Sequence, residues 1–172
     1  MSQNTHALRR RTFVQGAIGT LAMVTLGYAV ISTAATETNV VTVWKTPDCG
    51  CCKDWVAHLQ KNGFEVVAKD VGDTAPIRQK LGLPVKFGSC HTAQLSAYVL
   101  EGHVPAQEIR RLLREKPKAI GLAVPGMPVG SPGMEMGDRR DAYDVLLVLA
   151  DGTSHVYQSY AAQSSAKPST KS

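Results

Sequence analysis

The middle of this chain alternates between strand-like and helix-like spacings of apolar residues, with Pro and Gly marking the joints. Val40-Val41-Thr42-Val43-Trp44 is a β-branched and aromatic run that predicts a strand, and Pro47-Asp48 breaks it. From Cys52 to Asn62 the apolar residues Trp55, Val56 and Leu59 recur at helical spacing, and Asn62-Gly63 supplies a stop. Phe64 to Val71 reads as a second strand. Ala75 to Leu81 reads as a short helix with Pro76 in its first turn and Gly82 after its end. An irregular link, Leu83 to Ser89, leads to Cys90-His91; Thr92 to Leu95 and Tyr98 to Leu100 then have the pattern of a hairpin. Pro105 to Glu115, with Ile109, Leu112 and Leu113 on one face, predicts an amphipathic helix. The predicted order is β-α-β-α-β-β-α, an α/β domain from about Val40 to Tyr160.

Beyond the last helix the periodicity stops. Gly121 to Gly137 is rich in Gly and Pro and is read as a loop without a face to bury; Asp144 to Leu149 and Ser154 to Tyr160, with Asp151-Gly152 at the turn, predict a closing hairpin. The fold class is therefore α/β with a C-terminal extension made of a Met-rich loop and a β-hairpin. From Ala161 to Ser172 the chain is Ser, Ala, Lys and Pro without apolar periodicity, which predicts a disordered tail.

The first 35 residues run from Arg9-Arg10-Arg11 through an apolar stretch, Gly16 to Ile31, to Ser32-Thr33-Ala34-Ala35, the layout of an export signal. Arg10-Arg11-Thr12-Phe13-Val14 resembles the twin-arginine pattern, which carries folded proteins; a Sec signal or an uncleaved anchor are the alternatives. The expected location is periplasmic, with membrane contact only through the signal segment if it is retained. Cleavage near Ala34 or Ala35 leaves roughly 137 residues, enough for one compact domain, expected to be monomeric. It also lowers the net charge from +5 to +2, because the 19 basic residues become 16 against 14 acids. No basic face remains to argue for a nucleic-acid partner.

Composition then points to chemistry. The chain has four cysteines, Cys49, Cys51, Cys52 and Cys90, and three of them fall within four residues at the start of the first helix. Strand order with cysteines at the first strand–helix junction resembles the thioredoxin fold. That resemblance implies that Cys90-His91 and Gly102-His103 reach the same sheet edge as the cluster. Cysteines at a helix N-terminus see the positive end of the macrodipole, which favours thiolate, the nucleophilic and metal-binding form. Cys49 and Cys52 have redox C-x-x-C spacing and are the candidate catalytic pair. The neighbours Cys51 and Cys52 share a peptide link and are expected to be poorly placed for one ion together, so bridging over more than one ion suits them better. Thiolates and thioethers select Cu(I) or zinc. Two disulfides in an oxidising compartment, or structural zinc or iron–sulfur on four cysteines, are the alternative readings.

Once the leader is removed, every methionine of the chain lies in the loop: Met127, Met134 and Met136. A lone core Met is a gap filler; three in a Gly- and Pro-rich loop read as a copper-facing set, with a packed lid over the thiols as the alternative. His103 is the best secondary ligand or proton carrier among the histidines. His91 follows Cys90, and alternation along an extended segment predicts that the two do not face the same ion. His58 is read as packing, His155 as surface, and Trp44 and Trp55 as core.

Cys-Gly-Cys-Cys-Lys-Asp-Trp, Ser-Cys-His-Thr-Ala, Glu-Gly-His-Val-Pro and the long Gly-Leu-Ala-Val-Pro-Gly-Met segment together resemble the CopG-type copper-resistance proteins, over about Val41 to Tyr160. The resemblance implies an exported, thioredoxin-like protein that binds copper and handles its redox state, as a binding module or a copper oxidoreductase. The residues themselves give the candidate metal ligands, Cys49, Cys51, Cys52, Cys90, Met127, Met134, Met136 and His103, and the expectation of more than one copper ion. A resistance role implies a periplasmic copper carrier or efflux system as partner. A thiol-disulfide oxidoreductase acting on periplasmic proteins through Cys49 and Cys52 is the alternative function.

Overall fold

The computed structural model describes residues 39–163, so the export signal read at 1–35 and residues 164–172 of the tail lie outside the described residues. The chain builds one seven-stranded sheet with strand order β2-β1-β3-β4-β5-β6-β7. Its elements are β1 (Val40–Lys45), α1 (Gly50–Lys61), β2 (Glu65–Asp70), α2 (Ala75–Lys80), β3 (His91–Leu95), β4 (Tyr98–Glu101), α3 (Ala106–Glu115), β5 (Gly121–Ala123), β6 (Tyr143–Val148) and β7 (Ser154–Tyr160), with a 3-10 turn at Val85–Phe87. β1 runs parallel to β2 and antiparallel to β3, and β3 is antiparallel to β4. This mixed α/β arrangement is compatible with the thioredoxin-like frame expected from the order of elements. It brings the end of β1, the start of β3 and the end of β4 to one edge, and the cysteines sit there.

Strand alternation sorts the core into two layers. On one face Val41, Val43, Ala93, Leu95, Leu100, Leu122 and Leu147 pack against Trp55 and Leu59 of α1 and Ile109 and Leu112 of α3. On the other, Val99, Ala123 and Val148 pack with Leu83 and Phe87 after α2. Trp55 is fully buried and its indole N–H donates to the Val104 carbonyl at 2.9 Å, tying α1 to the β4–α3 junction. Trp44 departs from expectation: it lies on the opposite face of β1, half-buried, with the Lys69 ammonium 5.6 Å from its ring.

The segment read as a structureless loop contains a strand. β5 pairs parallel with β4 and antiparallel with β6, so the extension continues the sheet. Its three residues are all buried, and three residues are too few for periodicity to reveal. The β6–β7 hairpin forms as expected from its Asp-Gly turn, with a bulge between Val145 and Leu146. Beyond it, within the stretch read as tail, Gln163 exchanges two backbone hydrogen bonds of 2.8 Å with Arg140. Among the described residues, no helix is long and apolar enough to cross a membrane.

Candidate metal centre

α1 begins where Thr46-Pro47 ends β1. Cys49 is its N-cap, in extended conformation, held by its N–H to the Thr46 carbonyl at 3.2 Å, and no side chain caps the helix. Helical side chains lean toward the N-terminus, so the sulfurs of the first turn lean back over the helix start. Cys90 meets them there. The four sulfurs all lie within 4.8 Å of one another. Cys49 and Cys52 form a disulfide, while Cys51 and Cys90 are free thiols. Cys51 Sγ is 3.6 Å from Cys49 Sγ and 4.0 Å from Cys90 Sγ. Cys51 and Cys52, expected to be poorly placed for one ion together because they share a peptide link, both fall in this one group, since the lean of the first helical turn brings their sulfurs to the same side. Cys52 is wholly buried and Cys51 partly exposed.

Cys90 belongs to a second group as well, with His91 and His103. Its sulfur is 3.2 Å from His103 Nε2 and 3.3 Å from His91 Nδ1. His103 Nδ1 lies 2.8 Å from the Pro132 carbonyl, which can only accept, so that nitrogen carries the proton and Nε2 turns a lone pair toward Cys90. Such a backbone partner is the usual way a metal-binding imidazole is oriented. His91 is a correction: it faces the same sulfur as His103 because the strand begins at His91, and Cys90 is not yet in the alternating geometry that would turn it away. The His91 ring stands 4.3 Å from that of Trp55, and its Nε2 is buried without a hydrogen-bond partner.

Electrostatics keep this corner neutral in the metal-free chain. Burial, then the nearby Cys51 sulfur, pushes the Cys90 thiol up to about 12. Burial, then His103, pulls His91 down to about 3, and burial lowers His103. The Cys90 S–H therefore donates to a neutral His103 Nε2, and a soft metal must displace that proton. The donor set fits such a metal: two free thiols, two more once the Cys49–Cys52 bond is reduced, and two neutral imidazoles, one of them with an idle nitrogen.

The methionine loop closes over the site. Gly126 N–H donates to the Gly88 carbonyl, the Ser89 hydroxyl donates to the Gly126 carbonyl, and Pro132 holds His103. Gly133 sits on the first turn of α1 so closely that a β-carbon there would stand 2.7 Å from the Cys51 carbonyl oxygen; its φ of +83° also suits glycine. Met127 and Met134 directly follow the touching residues Gly126 and Gly133. Met134 is half-buried, whereas Met127 and Met136 are exposed. His58 accepts the Ala106 N–H at 3.1 Å and so caps α3, and His155 is exposed.

Sequence reasoning missed one group beside the site, the buried carboxylate Glu101 and its partners Arg78, Ser89 and Thr92. A charge directly after the apolar run Tyr98-Val99-Leu100 was the available signal, since a charge that continues a buried strand needs a partner.

Two solved structures share both this fold and much of this sequence. They are copper resistance protein CopG, form 1, at 48% identity with a TM-score of 0.68, and form 2, at 47% with a TM-score of 0.67. The match covers 71% of this chain and 97% of the form 1 chain, and 70% and 97% for form 2. The chain belongs to the CopG copper resistance family. A family model described as a protein of unknown function matches residues 87–134, a span that holds Cys90, His91, His103, Met127 and Met134. No curated protein matches. In this CopG relative the cysteine cluster is a group of residues able to hold a metal ion.

Proposed function

We propose that the chain is an exported, periplasmic copper-binding protein of copper resistance that holds more than one Cu(I) on Cys49, Cys51, Cys52 and Cys90. His103 and the methionine loop complete the site. The observation that carries this reading is the convergence of four sulfurs within 4.8 Å at a helix N-terminus, next to an imidazole oriented by a backbone carbonyl. Neither a two-disulfide staple nor a purely structural four-cysteine site has a use for Met127, Met134 and Met136 in a loop seated on that helix.

The Cys49–Cys52 bond adds a redox capacity. As a disulfide the pair offers no thiolate; as a dithiol it completes the sulfur set. Closing the dithiol releases two electrons and, from two thiols, two protons to solvent. Those electrons reduce two Cu(II) to two Cu(I), and a dithiol of a partner protein reopens the bond by exchange. This is the sense in which the protein interconverts copper oxidation states, and a periplasmic copper carrier or efflux system is the partner that such a role serves.

The same disulfide supports a second reading, a thiol-disulfide oxidoreductase with Cys49 and Cys52 as nucleophile and resolving thiol. Anaerobic loading of the reduced domain with Cu(I), followed by elemental analysis, separates the two. We expect more than one copper per chain and a sharp loss in C51S. A chain that holds no copper and reduces insulin quickly would establish the second reading and remove the first.

A further inference from the structure

No side chain caps the cysteine wall on α1, but the segment that carries Cys90 is gripped by charge. Arg78 of α2 and Glu101 at the end of β4 form a buried ion pair, with Nη2 to Oε1 at 2.7 Å and Nε to Oε1 at 2.8 Å. Both ends of the pair then reach the residue before Cys90. Ser89 N–H donates to Glu101 Oε1 at 2.7 Å, and Arg78 Nη2 donates to the Ser89 carbonyl at 3.1 Å. Two more bonds fix the pair itself: Thr92 Oγ1 donates to Glu101 Oε2 at 2.7 Å, and Arg78 Nη2 donates to Thr74 Oγ1 at 3.2 Å. Glu101 and Thr92 are 0% exposed and Arg78 is 7% exposed.

Burial raises the Glu101 carboxyl, against the bonds from Arg78, Thr92 and Ser89. Every named neighbour is a donor, so the carboxylate form is the one this pocket satisfies. Residues Glu101, Gly102 and His103 then act in sequence along the end of one strand. Glu101 grips Ser89, and Gly102, with φ +69°, leaves room where a β-carbon would stand 2.5 Å from the Val124 carbonyl oxygen and 2.6 Å from Ser89 Oγ. His103 faces the Cys90 sulfur. Cys90 is held on both sides by bonds that leave from the same three residues.

We infer that the Arg78–Glu101 pair positions Cys90, fixing the Ser89 peptide so that the Cys90 sulfur is presented to His103 and to the α1 cysteines. The pair touches no metal and acts through Ser89. This inference rests on the copper reading for its consequence, yet the placement of Cys90 can be measured without copper.

In C51S with the Cys49–Cys52 bond closed, Cys90 is the one free thiol, and its alkylation rate by iodoacetamide reports its placement. E101Q keeps the shape and loses the charge. R78M/E101M replaces both charges with apolar chains of similar length, the exchange that commonly preserves stability. R78K keeps the charge but loses the fork that spans Glu101 and the Ser89 carbonyl. T92V deletes one bond and leaves the pair intact. All are compared well below their melting temperatures, with circular dichroism showing the native fold.

We expect alkylation of Cys90 to rise severalfold in E101Q and R78M/E101M, less in R78K and least in T92V. Cu(I) affinity of the corresponding reduced chains with Cys51 restored should fall in the same order, by about 10- to 100-fold at the top of the series. The thiolate-to-copper absorption should shift with it. A role in stability alone lowers the melting temperature and leaves all three readouts at wild-type values in the folded variants, and that result overturns the inference. If E101Q does not fold, R78K and T92V decide by the same readouts. If wild-type chain binds no Cu(I) while alkylation follows the series, the positioning role stands and the copper reading falls.

Discussion

The two walls of the sulfur cluster are built differently. The α1 wall offers three cysteines on one turn, uncapped by any side chain, two of them joined in a disulfide. The facing wall offers one cysteine and two buried imidazoles, anchored by a buried ion pair and a proline carbonyl. The energies differ accordingly. Opening a disulfide with sequence separation 3 removes about 2 kcal/mol of chain restraint on the loop-entropy account. Removing one partner of a buried ion pair costs about 3–5 kcal/mol. The α1 wall carries the bond that redox chemistry can change, and the facing wall carries the costlier non-covalent anchor.

The comparison breaks most readily at Cys90, which belongs to both ligand groups, whereas Cys49 belongs to one. C90S should lower Cu(I) affinity more than about a hundredfold, above about 2.8 kcal/mol at 1.4 kcal/mol per decade. C49S should cost clearly less, because Cys51, Cys52 and Cys90 remain. Competition of each reduced variant against a chromophoric Cu(I) chelator measures both. Equal losses would erase the distinction between the walls.

The anchored wall should also reveal itself through pH in the metal-free protein. His91 is held near 3, below its unfolded value of 6.5, so the unfolded chain binds the extra proton as pH falls. Its contribution is fully present above pH 6.5 and is lost toward pH 3, at about 1.4 kcal/mol per pH unit, or about 2 kcal/mol by pH 5. His58 and His103, both lowered first by burial, act in the same direction. Chemical denaturation at pH 7.5 and pH 5 should show the drop, and H91F should remove His91's share of the slope. An unchanged slope in H91F would mean that His91 is not buried as described.

How much of this was legible in the sequence follows the same division. The α1 wall could be read directly: the cysteines are adjacent in sequence, Pro47 ends the strand before them, and Trp55 and Leu59 set the buried face of the helix that carries them. The facing wall is assembled from α2, the start of β3, the end of β4 and the loop after β5, so its partners lie far apart in sequence, 23 residues for Arg78 and Glu101 and 29 for His103 and Pro132. Topology predicted that Cys90 and His103 would reach the same edge. It could not predict that His91 turns toward the same sulfur, since that depends on where β3 begins, nor that Arg78 reaches Glu101, since neither stands in a pattern. β5 escaped notice because a three-residue strand buried on both faces has no period. The export signal lies outside the described residues and still rests on its sequence layout.

The methionine loop is the third side of the site, and it yields the smallest expected effects. Its three thioethers are not equivalent. Met134 follows Gly133, which is seated on the Cys51 turn, and is half-buried; Met127 follows Gly126, bonded to Gly88 and Ser89, but is 53% exposed; Met136 is 64% exposed. Exposed side chains contribute little packing, so M127L and M136L should change stability by less than about 0.5 kcal/mol. A thioether that binds Cu(I) is lost in each leucine variant at nearly constant volume. Affinity for Cu(I) should therefore fall in the order M134L, then M127L, then M136L, each by less than C49S. If M136L weakens binding as much as M134L, Met136 must reach the cluster despite its exposure, and burial does not rank the three thioethers.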